Sequence, residues 1–368
     1  SPCRSSRNTR KAGSAHFINP RARANGHWTF SMHGAGATQT PEAVAQATAR
    51  LGPLPERELP RLQEVAYGGR VMTELVLPEL QPEVALIWFN EPDTTFHYRG
   101  LGSPEATAGL READRAFGAI LDWVEAQPDS ERITVLAASD HGQISTDSIE
   151  PMFETARQAG FDLSAAKLIE DAALVATGGI SGEIRLAGGD PAEIARIADW
   201  LMRQPAVGHL FSRDRNGIEG EVPGTLSLAL TGTGHAERQP ELMFILKSSL
   251  AADRYGLPGL GAMTPGDVPL GGGMHGGINP HELNTVLILG GAEAGTVSQE
   301  PAGIIDIGPT VLGLLGLAPA ASMVGRNLAQ PAREEARVTR HSAGVGAFTQ
   351  HVDVVEQEGR RFILGGGQ

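Results

Sequence analysis

Five side chains able to hold a divalent cation stand beside apolar runs. The stretch VALIWFNEPDTTFH, Val84 to His97, leaves an apolar run and delivers Asp93 and, four residues on, His97. ITVLAASDHGQ, from Ile133, supplies Asp140 and His141. GGGMHGGINPHELNTVLIL places His275, with His281 as a further candidate, in a glycine-rich loop ahead of its run. Two carboxylates and three imidazoles suit zinc or manganese, because calcium and magnesium prefer shells of oxygen alone. Two such ions about 3.5–4 Å apart clamp the attacking and leaving oxygens of a phosphoryl transfer. Each motif alone also has a bland reading: an Asp-His-Gly turn often holds a satisfied His, and Asp93 can simply cap the helix after it. Their joint occurrence in this order carries the weight. Glycines next to the ligands let the backbone come close to a metal or bound anion.

The elements that must position these residues are apolar runs without alternation: Val84–Phe89, Ile133–Ala137, Met243–Leu246 and Val286–Leu289. Such runs read as parallel strands buried on both faces, and in an open α/β sheet ligands bind beyond the carboxyl ends of the strands. Between the first two runs, Ser103 is an N-cap and Pro104 a first helical residue. Ala106, Leu110, Ala113, Phe117, Leu121 and Val124 then recur at helical spacing until Pro128. Asp190-Pro191 starts another helix with Ile194, Ile197, Leu201 and Met202 on one face. A last helix spans Ile307 to Leu315, stopped by Gly316 and capped by Asp306. The expected organisation is an N-terminal segment 1–57, an α/β domain 58–335 with a peripheral insert at about 160–265, and a tail 336–368 that forms a terminal hairpin.

The chain of 368 residues carries a net charge of −13, so no broad cationic surface invites a nucleic-acid polymer. A small phosphate ester handled with metal cations fits that charge better. No apolar span approaches membrane-crossing length. The single cysteine, Cys3, excludes an internal disulfide. The N-terminus, SPCRSSRNTRKAG, is basic and polar without a signal-like apolar stretch, and the default expectation is a cytoplasmic protein.

The order NEPDTTFH, then ASDHGQ, then MHGG, resembles the alkaline phosphatase superfamily, in particular its type I phosphodiesterase/nucleotide pyrophosphatase family. The closing GIIDIGPTVLGLLGLAPAASMVGRNL is similar to that family's last segment. The resemblance spans Val84 to Leu328 and is weak between Gly160 and Pro265. It implies an alkaline-phosphatase-like α/β fold, a mostly parallel central sheet between helix layers, and metal-dependent hydrolysis of phosphate mono- or diesters. It also implies two divalent ions, zinc or alternatively manganese. Asp93, His97 and His275 match the ligands of one, and Asp140 and His141 match two ligands of the other.

The same resemblance implies a first strand ending in Asp and a Thr or Ser nucleophile on the helix after it, both upstream of Val84. Neither is visible there, so the chain reads as an N-terminally truncated or frame-altered copy of a hydrolase. Two alternatives stand beside it. One is a non-catalytic metal-binding remnant. The other is a sulfatase using Cys3, since CRSSRNTRKAG loosely resembles the sulfatase signature; a chance match in a Ser/Arg-rich stretch is the bland reading.

Overall fold

The computed structural model describes residues 20–161, 163–165, 174–176, 179–186, 188–235, 237–290 and 297–368. Cys3 lies outside them. The chain divides into two compact units, the first running to Thr95 and resuming over Gly102–Arg132, the second formed by Phe96–Leu101 and Ile133–Gln368.

The first unit is helical: α1 (Glu42–Leu51), α2 (Leu62–Val71), a π-helical continuation over Met72–Leu80, and, after α3 (Asp93–Arg99) has begun, α4 (Pro104–Glu125). Tyr67, Val71, Met72, Leu75 and Ile120 are buried together, with Trp28 and Phe30 packed against them. As the sequence predicts, Ser103 Oγ accepts the Ala106 N–H at 3.0 Å and Pro104 opens α4. Its buried face differs from the expected one, being Ala106, Gly109, Ala116 and Ile120, while Leu110 is 54% exposed. Close approach explains the rotation, because a Cβ on Gly69 of α2 would lie 3.0 Å from the Ala116 Cβ. Small residues allow the two helices to meet there, and a leucine on that line would not fit.

Val84–Phe89 is not a strand. Val84, Leu86 and Trp88 are 53%, 63% and 48% exposed, and Ile87 turns to the helical core. An apolar run reports a tendency to be buried, whereas a strand also needs a neighbour to complete its ladder.

The second unit contains small mixed sheets rather than one mostly parallel central sheet. β1 (Leu136–Ala138) is followed by β2 (Ile144–Ile149), α5 (Met152–Gln158), β3 (Leu163–Ala165), β4 (Leu174–Ala176), β5 (Ser181–Leu186), α6 (Pro191–Met202), β6 (Val207–Ser212), β7 (Leu226–Ser227) and β8 (Leu242–Leu246). Then come β9 (Ser248–Ala252), β10 (Pro258–Met263), β11 (Gly273–Met274), α7 (Pro280–Leu283), β12 (Leu287–Leu289), α8 (Ile307–Leu314), β13 (Arg337–Val345), β14 (Phe348–Gln357) and β15 (Arg360–Gly367). The largest sheet has the order β3-β4-β5-β8-β6-β7, and β8 runs antiparallel to both its neighbours. β1 pairs antiparallel with β12, and a third sheet has the order β11-β2-β10-β9. The expectation of four parallel strands is therefore corrected. The run over β8 is apolar because Leu242, Phe244 and Leu246 enter one core and Ile245 another. That pattern reports two covered faces and is blind to strand direction.

Asp190 Oδ1 caps α6 by accepting from Ala192 N, and Ile197 and Leu201 are buried as expected. The tail forms a three-stranded meander, one strand beyond the expected hairpin. Val352 and Val354 of β14 join the core of Ile144, Phe211 and Ile278. The Gln350 side chain accepts from Leu210 N at 2.9 Å and donates to Leu210 O and Gly224 O. Asp306 is fully buried, but its carboxylate makes no bond to the first turn of α8. It accepts from Gly303 N, from Arg326 N at 2.7 Å and from Arg360 Nη1 at 2.9 Å, tying three segments together. Thr310 Oγ1 donates to Asp306 O and accepts from Leu328 N, which fixes the turn after the helix. Among the described residues no helix is long and apolar enough to cross a membrane.

Candidate metal centre

Glu91 sets the start of α3. It is 3% exposed, and its carboxylate accepts from Arg61 N at 3.1 Å and from Thr95 N at 3.2 Å. It fits against Gly109, where a Cβ would lie 3.2 Å from Glu91 Oε2. Asn90 O accepts from Thr94 N at 3.1 Å. The helix so anchored carries Asp93 in its first turn and His97 one turn later, on the same side.

The His97 ring is held through its Nδ1, which donates to Gly273 O at 2.7 Å. Gly273 opens β11, and His275 follows that strand directly. Two glycines permit the approach, since a Cβ on Gly272 would fall 2.2 Å from His97 O and one on Gly273 2.2 Å from Gln143 Oε1. Here the glycines make room for protein atoms, His97 O and Gln143 Oε1, whereas the sequence reading has them admit a metal or an anion.

The Asp140-His141-Gly142 turn follows β1. Its backbone is pinned by Ser139 N donating to Val286 O and Gly142 N donating to Glu282 O at 2.7 Å. His141 N donates to Asp140 Oδ1, and His141 Nε2 lies 3.4 Å from Asp140 Oδ2. The His141 and His275 rings stack with centroids 3.5 Å apart, and the His97 centroid is 5.2 Å from that of His275.

Asp93, His141 and His275 each offer one ligand atom, and these atoms all lie within 4.8 Å of one another. One carboxylate oxygen and two imidazole nitrogens suit a borderline-soft divalent ion. This triad takes Asp93 and His275 from the first expected set and His141 from the second. His97 and Asp140 stand beside it, His97 next to His275 and Asp140 against His141. His281 is exposed on α7 and makes no part of the triad. Sequence reasoning missed Glu282, which is buried behind both histidine loops; burial pushes its carboxyl up from 4.5 to about 7. The only sequence signal for it was its place three residues after Asn279, where it completes a capping box for α7.

A family model described as type I phosphodiesterase / nucleotide pyrophosphatase matches residues 14–276, a span that holds all five residues singled out from the sequence. Among curated proteins, the Homo sapiens ectonucleotide pyrophosphatase/phosphodiesterase family member 7 is 31% identical over 65 residues, 18% of this chain and 14% of that protein. Among solved structures, a crystal structure of a mutant of the alkaline phosphatase PafA is similar with a TM-score of 0.51 and 17% identity. It covers 73% of this chain, and this chain covers 52% of it, a likeness of fold.

Proposed function

The chain belongs to the type I phosphodiesterase/nucleotide pyrophosphatase family, and on that premise we propose that it hydrolyses small phosphate esters at a divalent-metal centre built on Asp93, His141 and His275. The observation that carries this reading is the convergence of that triad from the first turn of α3, the turn after β1 and the loop after β11. The proposal extends to phosphodiesters of the nucleotide type as substrates, to zinc as the favoured ion, and to a second ion at which Asp140 and His97 add donors. A bound cation would supply Lewis acidity to a phosphoryl oxygen and would acidify a water molecule. The chain's own part is orientation. Gly273 O holds the His97 ring through its Nδ1, and the bonds from Ser139 N to Val286 O and from Gly142 N to Glu282 O fix the backbone of the turn that carries His141.

Hydrolysis of bis(4-nitrophenyl) phosphate and of 4-nitrophenyl phosphate, with zinc or manganese added, tests the proposal. Turnover of the diester that EDTA and His275→Ala each abolish supports it. Metal binding without turnover of either ester would leave a metal-binding protein that is not a hydrolase.

A further inference from the structure

Glu282 is 3% exposed, yet it belongs to a helix of only four residues, Pro280–Leu283. Its carboxylate accepts from Gly277 N at 2.7 Å and from Asn279 N at 3.2 Å. Its backbone carbonyl accepts from Gly142 N at 2.7 Å. One residue therefore grips the His275 loop with its side chain and the His141 loop with its main chain. Both loops are shaped to the grip: a Cβ on Gly277 would lie 2.7 Å from Glu282 Oε2, and one on Gly142 would lie 2.1 Å from His281 O. A buried carboxylate is costly to desolvate, and capping one helical turn returns little against that cost. The bonds of Glu282 to both histidine loops are what its burial secures beyond the cap.

We propose that Glu282 is a positioning residue that sets the separation and tilt of His141 and His275, and through them the affinity of the centre for its metal. This rests on the reading of Asp93, His141 and His275 as metal ligands. Its carboxylate holds both acceptors in one rigid plane. A carboxamide at this place keeps one acceptor and turns an N–H₂ toward the second N–H donor, which loosens the His275 loop.

The test is titration of the metal-free protein with cobalt(II), read by its visible d–d absorption, at temperatures well below each variant's own unfolding. Wild type binds, and His275→Ala loses the bands. Glu282→Gln is expected to bind about 10–100-fold more weakly with altered band positions, as outer-shell changes do. Gly277→Ala pushes on the same carboxylate from the loop side and gives the same direction by an independent route. Wild-type affinity and spectrum in both Glu282→Gln and Gly277→Ala would overturn the positioning role while leaving the centre intact. Equal cobalt binding by wild type and His275→Ala would overturn the centre itself, and the positioning role with it.

Discussion

Removing the charge of Asp306 gives the most quantitative check on how the second unit is held. Asp306 and Arg360 are both 0% exposed at the side chain and meet at 2.9 Å. Asp306→Ala leaves the guanidinium buried without its counter-charge and strips Gly303 N and Arg326 N of their acceptor. Breaking a buried pair from one side costs about 3–5 kcal/mol, and the two orphaned donors place this case at the upper end. Arg360→Met is expected to cost about 3 kcal/mol, because the carboxylate keeps its two backbone donors. The double variant removes both charges at once, so its cost should fall at least about 2 kcal/mol short of the sum. Urea denaturation of the four proteins at low and high salt measures this. Burial shields the pair, so the coupling should hardly change with salt. The exposed pair Arg340–Asp353, at 2.7 Å with side chains 60% and 31% exposed, is the control: Asp353→Asn should cost under about 1 kcal/mol and less in salt. Additivity of the two single variants within about 0.5 kcal/mol would refute the reasoning.

Two pH effects of opposite sign are expected in the metal-free protein. Glu282, raised from 4.5 to about 7 by burial, binds its proton more tightly folded than unfolded. Its contribution is full below pH 4.5 and is lost as pH rises through about 7, roughly 3 kcal/mol that Glu282→Gln should remove. His209, 6% exposed with Nε2 3.1 Å from His351 O, is lowered from 6.5 to about 4 by burial. Its contribution is present above pH 6.5 and lost as pH falls through about 4, again roughly 3 kcal/mol, and denaturation of His209→Gln across that range should show a flatter curve. Metal at one hundred times its Kd should stabilise the protein by about 2.7 kcal/mol, seen as a fall in melting temperature when EDTA is added. Gly272→Ala drives a Cβ to within 2.2 Å of His97 O, so calorimetry should find metal binding weakened even where the variant stays folded.

What the sequence disclosed follows from range. Ser103, Asp190 and Gly316 act on their own neighbours, so α4, α6 and the end of α8 were legible from caps and stops. Asp93, His141 and His275, which the structure brings together, were singled out because metal chemistry restricts residue type. Direction of pairing was not legible in β8, since Leu242 to Leu246 would be equally apolar beside parallel neighbours. Nor was the buried line of α4, which depends on Gly69 in another helix. Val84–Phe89 misled for the same reason, because pairing is a property of two segments. Glu282 was hidden because its partners are backbone N–H groups, which every sequence has.

The C-terminal meander reaches back across the chain: Gln350 bonds Leu210, and Val352 and Val354 lie with Ile144 and Phe211. The closure joins residues separated by 142 positions in the case of His209 and His351. Contacts of such sequence separation are entropically late, and they slow folding. On a ribosome, the core of the second unit would wait for residues 348–355 to emerge, while helices such as α4 could form as they are made. During that interval Ile144, Phe211 and Ile278 would present an open apolar face, and it is there that a chaperone would find its purchase.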